Sequence, residues 1–210
     1  PLDRDKFAAG DAEAPAVPPD LALPRFDEAP VVDGALETCW FERAAKTDAF
    51  FLRGREPPAN RTEAYLAYDA GALCLAVRAF VPDVTAVPAQ ARERDTLAIH
   101  SDECIEVFLD TTFGRERYFH LTMNAAGART DMGPGRLIAW NGEWQGAAKL
   151  NAEASSVDYE FRLPFALFTD LNLSHRWGLN IGRNDRAAGN VVSLIRAREP
   201  NFHLPGLFPA

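Results

Sequence analysis

The stretch Cys104–Asp110, CIEVFLD, sets Ile105, Val107 and Leu109 on one side of an extended chain and Glu106 and Phe108 on the other, because successive strand side chains point to opposite faces. It runs into turn residues, Thr111–Gly114. Tyr118–Asn124 (YFHLTMN) alternates again, with Phe119, Leu121 and Met123 opposed to Tyr118, His120, Thr122 and Asn124, and stops at Ala125-Ala126-Gly127. Working outward, Thr62–Tyr68, Ala72–Phe80, Val157–Leu163 and Trp177–Arg183 are short runs of β-branched, aromatic and aliphatic residues bounded by Gly, Pro and Asp, the pattern of strands. Helix signals are confined to one or two turns within Leu36–Ala45 and Pro164–Leu171. Many short strands and little helix predict an all-β antiparallel β-sandwich, jelly-roll-like, with two sheets and one or two short helical turns.

The chain has 210 residues, enough for one such domain. Residues 1–24 read as a Pro/Ala-rich linker or extension, since six of the 15 prolines fall within the first 30 residues and such a composition buries little apolar surface. Residues 25–210 form the predicted domain. A net charge of −8 speaks against nucleic acid and against an anionic membrane surface, and no apolar run approaches a membrane span. The first residue is Pro rather than Met, so the chain reads as a processed or excised piece of something longer. Cys39, Cys74 and Cys104 are odd in number with no CxxC spacing, and free thiols are the preferred reading.

The predicted inner faces carry Leu73, Leu75 and Val77; Ile105, Val107 and Leu109; Phe119, Leu121 and Met123; and Val157, Tyr159, Phe161 and Leu163. On the outer faces Arg78, Glu106, His120 and Thr122 would form a polar group if their strands were neighbours, with Asn180 on the strand after Trp177. Charged and amide side chains match the paired donor and acceptor directions of sugar hydroxyls. Trp140, among Asn141, Gly142 and Glu143, is a candidate stacking platform, with a lid over the core edge as the alternative. The four histidines have no ligand spacing such as HExxH, so zinc is not indicated. Glu106 and Glu160 are strand carboxylates that nothing sets opposite one another, as glycoside hydrolysis would require.

Seven motifs in order then give a resemblance: Pro30-Val31-Val32-Asp33-Gly34-Ala35-Leu36 with Trp40; Ala67-Tyr68-Asp69 before Leu73–Val77; Arg94-Asp95 before Ser101–Asp110; Phe119–Gly127; Tyr159–Phe165; Trp177–Arg183; and Phe202–Phe208. The chain resembles the family 9 carbohydrate-binding modules over about 180 residues. The resemblance implies a calcium-stabilised sandwich outside the cell or in the periplasm. It would bind a polysaccharide or oligosaccharide end and be joined to a catalytic domain in the same polypeptide, without being an enzyme itself. It places Glu106 at a residue that hydrogen-bonds sugar, and His120 and Thr122 where cellulose-binding members carry Arg and Asn. Those members clamp the terminal sugar between two tryptophans. Here His100 or a neighbour holds the first place and Leu194 or Ile195 the second, so the resemblance does not carry cellulose over as the ligand. Asp69, Asp102 and Asp110 are the candidates for calcium, which takes six to eight oxygens. Two other readings stand beside this one. Some relatives of the fold hold a b-type haem, for which His120, Met123 and Met132 are the candidate ligands. A structural accessory domain without ligand is the other.

Overall fold

The computed structural model describes residues 20–52, 57–168, 176–195 and 202–210. Most of the predicted extension, His175 and the end of the predicted turn at Pro164–Leu171 lie outside them. Among the described residues there are eleven strands: β1 (Ala45–Thr47), β2 (Phe51–Leu52), β3 (Thr62–Tyr68), β4 (Ala72–Phe80), β5 (Cys104–Asp110), β6 (Phe119–Asn124), β7 (Arg129–Met132), β8 (Gln145–Asn151), β9 (Ser156–Pro164), β10 (Gly178–Asp185) and β11 (Asn190–Ser193). All strand pairings are antiparallel. One sheet has five strands in the order β1-β3-β4-β9-β8 and the other six, β2-β11-β10-β5-β6-β7. The predicted two-sheet β-sandwich is what forms. The one α-helix among the described residues, α1 (Thr38–Arg43), and a 3-10 turn at Phe165–Leu167 fall within the two predicted helical stretches.

The inner faces pack as their alternation requires. Leu73, Leu75 and Val77 of β4 and Val157, Tyr159, Phe161 and Leu163 of β9 join Ile105, Val107 and Leu109 of β5 and Phe119, Leu121 and Met123 of β6 in one core. Each fully buried Leu, Val or Phe side chain contributes about 1.5–3 kcal/mol, so these two central strand pairs hold the sheets together. Leu21 and Leu23 also pack against this core, so the packed domain takes in residues that read as linker.

Both outer faces are partly covered. On the five-stranded sheet α1 inserts Trp40 among Phe26, Tyr65, Ala67, Cys74 and Ala76. Trp40 Nε1 donates to Glu160 Oε1 at 2.9 Å and the Gly34 amide to Glu160 Oε2 at 2.8 Å. Gly34 has φ +80° and lies so close to β8 that a Cβ would come within 2.8 Å of Lys149, which is why the Asp-Gly turn needs glycine there. On the six-stranded sheet Phe202 and Phe208 cover Phe108, Tyr118 and Ile195. Every residue of β5 is therefore buried.

The two ends of the sandwich differ. At one, Arg183 is wholly buried. Its Nε donates to Glu103 Oε1 at 2.6 Å, and its other nitrogens donate to Phe80 O, Arg61 O and Thr62 Oγ1. It thus ties β10 to strands of the opposite sheet with its charge paired and its donors satisfied, as a buried ion requires. At the other end Leu66, Leu73, Leu109, Trp177, Leu179 and Leu194 line a cavity of about 1150 Å³.

Candidate functional site

Glu106 lies on β5, between β10 and β6, and the register sets out its neighbours. One outer-face row runs Gly182, Glu106, Thr122, Thr130; the next runs Asn180, Phe108, His120, Met132; a third brings Asn184 beside Cys104 and Asn124. The turn Leu97–Ser101, a 3-10 helix capped by Thr96, returns His100 over this face. Asp102 fixes the turn's exit by accepting from the amides of Gln90 and Ala91 and from Asn124 Nδ2.

The result is a compact polar cluster. Glu106 Oε2 lies 2.8 Å from His120 Nε2, and Asn184 Nδ2 donates to Glu106 Oε1 at 3.0 Å and to Cys104 Sγ at 3.1 Å. His100 Nδ1 is 3.7 Å from Glu106 Oε1, and Thr122 Oγ1 is 3.2 Å from His120 Nε2. Burial alone would raise the Glu106 carboxyl, but hydrogen bonds from His100 and His120 and the charge on those rings hold it down to about 2. His120 stacks on Phe108 with centroids 4.2 Å apart, and His100 stacks on His120 at 6.0 Å. His203 meets Phe108 and His120 edge-on, its Nδ1 2.7 Å from the Tyr118 hydroxyl. Asn180 Nδ2 donates to Phe202 O at 3.3 Å. Among the described residues only three buried side-chain polar atoms have no hydrogen-bond partner, and two of them, His120 Nδ1 and Asn180 Oδ1, belong to this face.

Glu106, His120, Thr122 and Asn180 are therefore together. Arg78 is not with them. It lies on β4 of the other sheet, where its Nε and Nη2 donate to Asp158 at 2.9 and 2.7 Å and its guanidinium covers Phe41. Trp140 is also elsewhere. It is half-buried against Phe119 on the core side, so close to Gly133 and Gly142 that a Cβ on either would strike its side chain. The lid reading holds for it, and Trp144, buried against Phe161, donates to Asp131 instead. Asn184, Tyr118 and His203 complete the cluster: Asn184 and Tyr118 follow the same alternation as the rest, whereas His203 comes from a segment without strand pattern that folds back over the sheet. Asn184 is four residues beyond Asn180 on one strand, and period two sets both on one face.

The calcium candidates have other work. Asp69 accepts from Gly71 N and Arg162, Asp102 from Gln90, Ala91 and Asn124, and Asp110 from Thr112, Gly114 and Arg115. Every carboxylate oxygen of the three faces an N–H donor, and they stand in separate turns, so they do not fit a shared cation that takes six to eight oxygens. Met132 stands directly across from His120 on the same face, while Met123 is in the core. Neighbours on one sheet face project in parallel and do not approach an iron from its two sides, as axial haem ligands do. Glu160 lies on the opposite sheet, held by Trp40 and the turn at Asp33-Gly34, so it and Glu106 do not flank one bond. The three thiols are free.

No family model and no curated protein matches the chain. Solved structures do. A family 9 carbohydrate-binding module from Caldicellulosiruptor kristjanssonii, in complex with cellotriose, superposes with a TM-score of 0.63 at 16% identity over 89% of this chain and 90% of that one. The glucose complex of such a module from the same organism gives 0.62 at 15% over 88% and 92%. A protein of Bacteroides uniformis, provisionally assigned as carbohydrate-binding, gives 0.67 at 15% over 89% and 95%. With two antiparallel sheets in this order and near-complete coverage in both directions, the chain has the fold of the family 9 carbohydrate-binding modules.

Proposed function

We propose that this protein is a noncatalytic carbohydrate-binding module that takes a glycan chain or its end on the outer face of the six-stranded sheet. The observation that carries the reading is the cluster around Glu106. An ionised carboxylate, two imidazoles, a hydroxyl and two amides converge on one sheet face, with His120 Nδ1 and Asn180 Oδ1 unpartnered there. Sugar hydroxyls donate and accept at once, and such a mixed set suits them. The likeness to modules solved with cellotriose and with glucose supports the same reading. Among the described residues, the stacking surface at the edge of the cluster is the partly exposed ring of His100, which leads into the buried pair His120 and Phe108. Aromatic packing of that kind adds about 0.5–1.5 kcal/mol beyond area, and hydrogen bonds exchanged for those to water gain little net energy, so single-site affinity is weak. Outside the cell or in the periplasm, the module would serve beside a polysaccharide-degrading catalytic domain in one polypeptide.

A broad glycan array followed by calorimetry with the hits tests this. Binding is expected, with Glu106→Ala abolishing it and Arg78→Ala, on the far sheet, leaving it intact. Absence of any glycan binding by the folded chain, or equal binding by Glu106→Ala, would overturn the proposal.

A further inference from the structure

The Glu106 cluster contains a combination of donors that sugar recognition does not use. One ligand atom each from His100, Cys104 and Glu106 lie within 4.8 Å of one another. We propose that these three side chains form a site for a borderline-soft divalent transition metal ion such as zinc. The reading does not rest on sugar binding.

The geometry follows from two short-range rules. Cys104 and Glu106 are two apart on β5 and share a face. The Leu97–Ser101 turn then brings His100 back over that face, within 3.7 Å of Glu106 Oε1. Zinc bonds of about 2.0–2.3 Å set tetrahedral ligands about 3.3–3.8 Å apart, so the three atoms need to close by little more than an ångström. The His100–Glu106 pair already stands at 3.7 Å, and His100, its side chain 31% exposed while Glu106 is buried, is the ligand with room to adjust. The same exposed edge is the entry path for the ion and the exit for the thiol proton, which leaves to solvent as the sulfur–metal bond forms. No electron transfer is involved.

The donor set selects the class of ion. Thiolate and imidazole favour zinc and its first-row neighbours, whereas calcium and magnesium take oxygen ligands. A supporting layer is already in place. Asn184 Nδ2 donates to both Cys104 Sγ and Glu106 Oε1, and His120 Nε2 stands 2.8 Å from the other carboxylate oxygen. Outer groups of this kind orient ligands and are worth about 10- to 100-fold in affinity. Three protein ligands leave a fourth position for water or a ligand hydroxyl.

Cobalt(II) titration of the metal-free full chain, followed by absorption and then displaced by zinc, provides the test. One equivalent of cobalt is expected to give a thiolate-to-metal charge-transfer band that zinc bleaches. Cys104→Ser should lose the band, while Cys39→Ser and Cys74→Ser, altering thiols of the other sheet's outer face, should keep it. His100→Ala, at a partly exposed position on the Leu97–Ser101 turn, should weaken binding at least about 10-fold, and Asn184→Ala about 10- to 100-fold. Folded wild-type protein that gives no band and no zinc displacement overturns the site, as does a band that survives Cys104→Ser. Metal binding without glycan binding would sink only the carbohydrate reading, and glycan binding without the band only this one.

Discussion

His203 sits between the Tyr118 hydroxyl and the rings of Phe108 and His120. Burial, and next the charges of His120 and Arg136, bring its imidazole down from 6.5 to about 4, with Glu106 opposing and His100 adding to the effect. Between those two values the unfolded chain binds a proton that the folded chain refuses. Stability from this group is therefore complete above pH 6.5, falls as the pH drops towards 4, and is level below. Urea midpoints measured across that window should fall with acid, and His203→Gln should flatten that part of the curve; an unchanged slope would place the titration elsewhere. Single residues were also where sequence reasoning divided. Alternation assigned Glu106, His120 and Thr122 to an outer face correctly, because that depends only on the strand's own period. It gave no means of seeing that Asp158 awaits Arg78 across β4 and β9, or that Gly133 and Gly142 make a slot for Trp140. Those facts arise from partners distant in sequence.

Among the elements, the strands that buried one clean apolar face were legible nearly to the residue: β3, β4 and β5 run from Thr62, Ala72 and Cys104 as their alternation indicates. The strands that escaped notice lack such a face. β8, QGAAKLN, is half-exposed along its length at the sheet edge, β2 is two residues long, and β7 turns Asp131 away from the outer face, where Arg94, Gly142 and Trp144 satisfy it. The segment Phe202–Ala210 has no strand pattern, yet it covers β5 and β10. Its position depends on Gly182, where a Cβ would meet the Phe202 ring at 2.7 Å. Gly182→Ala should push this segment off the sheet and cost about 1–3 kcal/mol, as overpacking does. Chemical denaturation would register the loss and limited proteolysis faster cleavage near Phe202; a variant as stable and as resistant as the parent would refute the contact.

For the molecule as a whole, strand identity was readable but strand membership was not. Among the described strands the chain changes sheet at β1–β2, β2–β3, β4–β5, β7–β8 and β9–β10, and local periodicity is blind to such crossings. That is why Arg78 and Glu106 read as neighbours although the core lies between their faces. The same topology sets the polar cluster towards the end closed by Arg183, near the start of β5. Leu21 and Ala210 meet at the other end, where the Leu21 amide donates to Ala210 O at 2.9 Å and the Leu179 amide to Pro209 O. Segments that meet like this need only a few Gly/Ser residues to be joined, and exposed loop tips tolerate new ends. A circular permutant that omits residues 1–20, links Ala210 to Leu21 and opens at Glu153, in the β8–β9 turn, should fold with a cooperative urea transition and native-like circular dichroism. A molten or aggregated product would show that the order in which the chain is threaded matters more than the contacts it finally makes.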